Sequence, residues 1–170
     1  MTLKTIGIAG IASCVAAVAW YLGSPLFIRT TLDEPAPSAA AARSTGLLST
    51  TSGVTVAATA AAPTTVTGEL GYVDALHNGT GRVLMVRTGS ALTLRFENVA
   101  ITNAPDVHVY LSRETGGKWS EATSLYLGSL KATNGSFNYV VPADADLPGY
   151  NSVVVWCRRF SVLITWADLR

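Results

Sequence analysis

Cys157 is the residue of this chain whose type and surroundings point most directly to chemistry. It lies in the apolar segment SVVVWCRRF (residues 152–160) and is followed by Arg158 and Arg159. A thiol beside guanidinium groups ionises more readily, and the thiolate is the reactive, redox-active form. A free cysteine is equally often a small buried hydrophobic side chain. From the residues alone, Cys157 is therefore either a redox thiol or a core residue.

Two other chemistries of Cys157 are disfavoured. The second cysteine, Cys14, lies in the apolar N-terminal segment, so a disulfide within the folded part is excluded. A blue-copper site needs two histidines and a cysteine close together, usually with an axial methionine. Cupredoxins carry a histidine and a methionine shortly after the cysteine, and neither follows Cys157. Structural zinc lacks its paired ligand spacing. We therefore predict no metal site, and no cofactor can be read from the sequence.

The two histidines of the chain have simpler interpretations. Asp74 and His77 are three residues apart, so a single helical turn would bring them together. The result would be either a carboxylate-oriented imidazole or an ordinary local hydrogen bond. His108 alternates with Val107 and Val109, which predicts a solvated side chain on the polar face of a strand.

Enzymatic activity is uncertain from the sequence. No Gly-rich phosphate loop, G-x-S-x-G elbow, C-x-x-C or H-E-x-x-H pattern is present, so no hydrolase, nucleotide or metal site is readable. The net charge is +1 and no run of lysine and arginine occurs, so nucleic acid is not a predicted partner.

The N-terminal segment carries no charge between Lys4 and Arg29. An apolar helix of about 20 residues is enough to cross a bilayer, and Trp20 and Tyr21 would suit its interface. We predict an uncleaved signal-anchor over residues 1–34, including its flank. A cleaved signal peptide ending near Ala19 and a lipoprotein at Cys14 are the alternatives. In all three the rest of the chain is exported to the extracytoplasmic side. With the signal-anchor it stays anchored to the membrane, in the periplasm or at the cell surface.

The rest of the chain divides into a linker and a folded domain. Residues 35–65 consist mainly of Ala, Ser, Thr and Pro, which bury too little apolar area to offset backbone entropy. We expect a disordered linker there. Residues 66–170 contain short alternating segments separated by turn signals at Asn78-Gly79, Thr88-Gly89, Gly116-Gly117, Asn134-Gly135 and Pro148-Gly149. This pattern predicts an all-β domain, an antiparallel β-sandwich of about seven to eight short strands.

Several segments of this domain resemble the DM-thirteen domain, an all-β domain of Skeletor-type and membrane-anchored bacterial proteins. The segments are DALHNGTGRVLMV, LTLRFENVAITNAPDVHVYLS, LYLGSLKATNGSFNYVVP and YNSVVVWCRRFSVLITWADL, within residues 68–169. The positions that match family motifs are Asp74, His77, Asp106, Tyr110, Trp156 and Cys157. Where the family often has Asn-Gly-Pro-Asp, this chain has Ala104 as the second residue. Because alanine disfavours positive φ, we expect a shifted or strained turn there.

The resemblance implies electron transfer or redox modification at the cell surface, with Cys157 as the suspected redox centre and Arg158 and Arg159 as possible thiolate stabilisers. The implied partners are the membrane and a redox or envelope protein. The alternative is a non-catalytic binding or adhesion module of the cell envelope in which Cys157 is structural.

Overall fold

The computed structural model describes residues 3–37, 65–145 and 149–170. Its only described α-helix, α1, covers Leu3–Phe27. Over the described residues, no helix is long and apolar enough to cross a membrane. The predicted transmembrane helix is therefore not supported by the structure. Most of the predicted linker, residues 38–64, lies outside the described residues.

Nine β-strands follow α1 in the described ranges, and the prediction of an all-β fold rich in antiparallel pairs is confirmed. The strands are β1 (Thr31–Asp33), β2 (Thr65–Glu69), β3 (Gly79–Thr88), β4 (Ala91–Ile101), β5 (Val107–Ser112), β6 (Ser124–Ser129), β7 (Asn134–Val141), β8 (Ser152–Cys157) and β9 (Val162–Asp168). The strands β3 to β9 lie within residues 66–170, where the sequence predicted about seven to eight short strands. The two short edge strands β1 and β2 were not predicted.

The strands form two sheets that pack face to face as a sandwich. One has the order β1-β7-β4-β3-β2 and the other β6-β5-β8-β9. Every strand pair is antiparallel except β1 with β7. Alternate side chains of each sheet fill the space between them, as the pleat requires. The shared core includes Leu94, Phe96 and Phe137 from the larger sheet and Val109 and Val155 from the smaller one.

Strand β1 shows that the flank of the N-terminal helix belongs to the sandwich, although the sequence assigned residues up to 34 to the anchor. Thr31, Leu32 and Asp33 pair with the start of β7. Gly135 of β7 has φ +105, and a Cβ there would lie 2.3 Å from the carbonyl oxygen of Leu32. Glycine is therefore required at this close approach. The predicted Asn134-Gly135 turn is wrong for this reason: the glycine admits a neighbouring strand.

The remaining turn signals had mixed outcomes. Gly89 (φ +61) lies in the two-residue connection of β3 and β4, as predicted. Pro148 falls outside the described residues. Strain expected at Ala104 is absent; the positive φ of this turn belongs to Asp106, at 69°. Aspartate adopts the left-handed region more readily than most residues, so this turn does not require glycine at position 104.

Candidate functional site

Cys157 ends strand β8 and points into the core between the two sheets. The side chain has no exposed surface, and its thiol donates a hydrogen bond to the Pro105 carbonyl at 2.9 Å. β8 is an inner strand of the smaller sheet, between β5 and β9, with Val153 and Val155 fully buried. The bond to Pro105 uses the thiol proton, so it exists only while Cys157 is protonated.

The same strand end fixes the turn that precedes β5. Cys157 holds Pro105 through its thiol, and the Arg158 amide donates to the Asp106 carbonyl at 3.0 Å. Two consecutive residues of β8 and its turn thus hold two consecutive carbonyls. Asp106 is in this way placed at the start of β5 with its carboxylate turned away from the core.

A hydrogen-bonded chain runs from Asp106 across the outer face of the smaller sheet. His108 Nε2 lies 2.7 Å from Asp106 Oδ1, and His108 Nδ1 lies 3.0 Å from the Tyr126 hydroxyl. Residues 106 and 108 are two apart, so a strand presents them on the same face. The predicted solvated His108 is wrong. The residue is 6 % exposed, because the neighbouring aromatic ring of Tyr126 packs against it.

Tyr110 continues this face and is bound by a cation. Arg158 Nε donates to the Tyr110 hydroxyl at 2.6 Å, and its guanidinium lies over the Tyr126 ring, 4.6 Å from the centroid. Burial raises the pKa of Tyr110, and the Arg158 charge opposes this without cancelling it. The hydrogen bond to Tyr110 in turn raises the pKa of Arg158. The tyrosine and the cation thus form a stable neutral–cationic pair.

Two tryptophans complete the group. Trp119, from the loop between β5 and β6, packs on Tyr110 with ring centroids 4.6 Å apart, and on Trp156 at 4.9 Å. Trp156 is half-buried, and its indole lies on the outer face. We call this set the outer-face cluster; it consists of Asp106, His108, Tyr110, Trp119, Tyr126, Trp156 and Arg158.

A register shift helps to assemble the cluster. Between β5 and β6 the pairing changes from Val109 with Gly128 to Tyr110 with Tyr126, so one extra residue is accommodated in β6. Such a bulge turns side chains to new directions and increases local twist. Here it places the rings of Tyr110 and Tyr126 5.4 Å apart. Sequence alternation alone could not locate this shift.

The other predicted site residues, Arg159, Asp74 and His77, do not belong to the outer-face cluster. Arg159 is exposed in the turn after β8. His77 Nδ1 lies 2.8 Å from Asp74 Oδ2, and Asp74 Oδ1 accepts from the amides of Leu76 and His77. The hydrogen bonds from His77 and from the Leu76 amide lower the pKa of Asp74. The predicted contact of this pair is therefore present, as a local turn.

Sequence reasoning missed two members of the cluster, Trp119 and Tyr126, and gave His108 no functional role. The Asp106-x-His108-x-Tyr110 spacing on a strand was a usable signal for one shared face. Nothing in the sequence indicated that Tyr126 would reach His108. Among the described residues, no group of three or more His, Cys, Asp or Glu side chains could hold a metal ion.

A family model described as electron transfer DM13 matches residues 72–169, more than half of the 170 residues. The matched range includes the whole of β3 to β9 and the whole outer-face cluster. No curated protein and no solved structure matches the chain.

Proposed function

Because this chain belongs to the electron transfer DM13 family, we propose that its β-sandwich exchanges electrons with a partner protein. The observation that carries the proposal is the match over residues 72–169, which takes in the whole structure from the turn before β3 to the end of β9. The geometry adds a connected group of oxidisable rings on one surface of that sandwich. Aromatic rings in contact offer short steps for an electron.

The proposed redox centre is Cys157, as the family resemblance implies. Its burial sets a condition on that role, because a partner cannot reach a thiol with no exposed surface. The thiol becomes accessible only if the Pro105 turn or the end of β8 opens locally. Local opening requires less free energy than global unfolding, and such segments are often functional. The proposal therefore requires a local opening at Cys157.

The two arginines after Cys157 have different parts in this proposal. Arg158 is bound to Tyr110 and stacked on Tyr126, so it would have to leave these contacts to stabilise a thiolate. Arg159 is exposed and is the matched variant for comparison. We expect Arg159→Gln to slow the thiol reaction in the opened state, whereas Arg158→Gln also disturbs the outer-face cluster.

Thiol labelling with and without denaturant tests the redox role of Cys157. The full chain carrying Cys14→Ser leaves Cys157 as its single thiol. From the labelling rate in native buffer and the rate in denaturant, the free energy of the opening that exposes Cys157 is obtained. It is then compared with the global free energy of unfolding. A smaller opening free energy supports the redox role. Equal values mean that Cys157 is exposed only by unfolding, and the redox role of this thiol is then abandoned.

Location is proposed from the sequence alone. We propose that the sandwich works on the extracytoplasmic side, in the periplasm or at the cell surface, held at the membrane by the uncharged segment between Lys4 and Arg29. Fractionation of the producing cells tests this, with an alkaline wash that releases peripheral proteins. Recovery of the full chain in the washed supernatant would contradict membrane anchoring.

A second candidate function is favoured by the burial of Cys157. A fully buried thiol that is bonded to a backbone carbonyl is typical of a structural cysteine. We propose in that case a binding or adhesion module of the cell envelope. Protein-film voltammetry of the full chain separates the two candidates: the absence of any protein-derived wave favours binding, and a wave favours electron transfer.

A further inference from the structure

We propose that Tyr126 is a redox-active tyrosine whose phenolic proton moves to His108 when a one-electron oxidant removes an electron from its ring. The oxidant would be an oxidised metal centre of a partner protein whose reduction potential exceeds that of the tyrosyl radical. This inference rests on the proposed electron-transfer function, but not on Cys157. It is carried by the hydrogen-bonded chain from Tyr126 through His108 to Asp106.

The direction of the hydrogen bonds follows from the chemistry of their ends. An ionised carboxylate only accepts hydrogen bonds, so His108 Nε2 carries the proton that is donated to Asp106. In a neutral imidazole the other nitrogen, Nδ1, is then the acceptor. With the imidazole neutral, the Tyr126 hydroxyl therefore donates to His108, at 3.0 Å. The phenolic proton thus points at a base before any oxidation takes place.

The step balances in electrons and protons. Tyr126 loses one electron to the oxidant, which is reduced by one, and its O–H bond breaks. The proton forms a new N–H bond at His108 Nδ1, which leaves a neutral tyrosyl radical and an imidazolium. Asp106 is bonded to the far side of that imidazolium and stabilises its charge. Reduction of the radical returns the proton to the phenolic oxygen.

Tyr110, the neighbouring ring, lacks this arrangement. Its hydroxyl accepts a hydrogen bond from Arg158 instead of facing a base. A positive charge beside a ring opposes the loss of an electron, and Arg158 lies over both rings, at 5.6 Å from the Tyr110 centroid and 4.6 Å from that of Tyr126. Only Tyr126 can offset that repulsion by releasing its proton to a bonded base. The lasting radical is therefore expected on Tyr126.

Access to the surface fits this assignment. Tyr126 is 45 % exposed, so a partner can approach its ring, while His108 beneath it is buried. Tyr110, Trp119 and Trp156 extend the ring contacts from Tyr126 along the sheet. The cluster thus has one exposed ring bonded to a base and three further rings behind it.

The test oxidises the full chain with hexachloroiridate(IV) and follows the reaction by stopped-flow absorption and freeze-quench electron paramagnetic resonance. Tyr126→Phe should remove the tyrosyl signal. Tyr72→Phe is the matched control, since Tyr72 is exposed and outside the cluster. His108→Gln keeps a donor for Asp106 and an acceptor for Tyr126 but removes the base. It should slow radical formation by about 100-fold, the lower end for a positioned general base.

Two further readouts separate proton transfer from loss of structure. The unsubstituted chain should show a solvent deuterium isotope effect that disappears in His108→Gln. Asp106→Asn keeps an acceptor and tolerates the positive φ of this position, and should slow the reaction less than His108→Gln does. An undiminished tyrosyl signal in Tyr126→Phe, or an unchanged rate in His108→Gln, would overturn the inference.

The outcome is independent of the natural partner and of the thiol. The same measurement in Cys157→Ser should give the unsubstituted chain's Tyr126 signal. Radical formation on Tyr126 without electron exchange with envelope proteins would leave this inference standing and contradict the proposed function. Electron exchange without a Tyr126 radical would support the proposed function and contradict this inference.

Discussion

Replacing Arg95 should release strand β1 from the sandwich. Arg95 lies in β4, on the face of the larger sheet that points away from the core, yet it is only 8 % exposed. Its Nη1 donates to the Glu34 carbonyl at 3.1 Å, to the Pro35 carbonyl at 3.3 Å and to Asn138 Oδ1 at 3.1 Å. One guanidinium therefore holds the chain just after β1 against the middle of β7.

The expected cost follows from these bonds. A hydrogen bond to a charged group contributes about 1.5–3 kcal/mol. Counting only two of these bonds, each at the lower value, we expect Arg95→Ala to reduce the free energy of unfolding by about 3 kcal/mol. Arg82→Ala is the matched control. The Arg82 side chain is 54 % exposed and is bonded to Glu97, and an exposed ion pair contributes at most about 1 kcal/mol.

Two measurements check this. Denaturant unfolding should show a larger loss of unfolding free energy for Arg95→Ala than for Arg82→Ala. Amide hydrogen exchange should quicken at Ser136, whose N–H donates to Asp33 Oδ1, and at Asn138, whose N–H donates to Glu34 Oε2. Equal stability losses in the two variants, with both amides unchanged, would refute the view that Arg95 holds β1 in place.

Three further predictions concern single side chains. Burial acts to raise the pKa of Glu34, but hydrogen bonds from Lys131 and the Asn138 amide outweigh it and lower that pKa. The stability that Glu34 adds over Glu34→Gln should therefore be present above about pH 4.5 and vanish as the pH falls below it. Thermal unfolding of both proteins at a series of pH values measures this difference. Tyr139→Phe should cost about 1–3 kcal/mol in denaturant unfolding, because the buried hydroxyl accepts from the Lys131 amide and donates to the Ser129 carbonyl; a change near zero would mean that water replaces it. Trp156→Ala should cost about 2 kcal/mol by the same assay, below the ~3–5 kcal/mol of a fully buried tryptophan, since its indole is half-exposed.

The segments β3 to β9 could be predicted because each has a recognisable local sequence pattern. Leu92, Leu94 and Phe96 alternate with polar residues, and an alternating pattern buries one face of a strand whatever its neighbours are. The family resemblance was confirmed for the same reason, since its motifs are runs of consecutive residues. The Asp74–His77 contact also spans only three positions.

What the sequence could not indicate depends on residues that are distant along the chain. Thr31–Asp33 is too short to show a period, and it becomes a strand only because β7 offers an edge about 100 residues later. Arg95 occupies an alternating polar position of β4, which is typical of a solvated residue. It is buried only because the chain just after β1 covers it.

The candidate site divides in the same way. The sequence by itself determined that Cys157 lacks a disulfide partner in the folded part and that Asp106, His108 and Tyr110 share one face of a strand. Only the tertiary structure decided that the thiol is buried against Pro105 and that Arg158 turns to Tyr110. The bulge in β6 brings Tyr126 to His108, because strand register is set by the packing of both sheets and not by either segment alone.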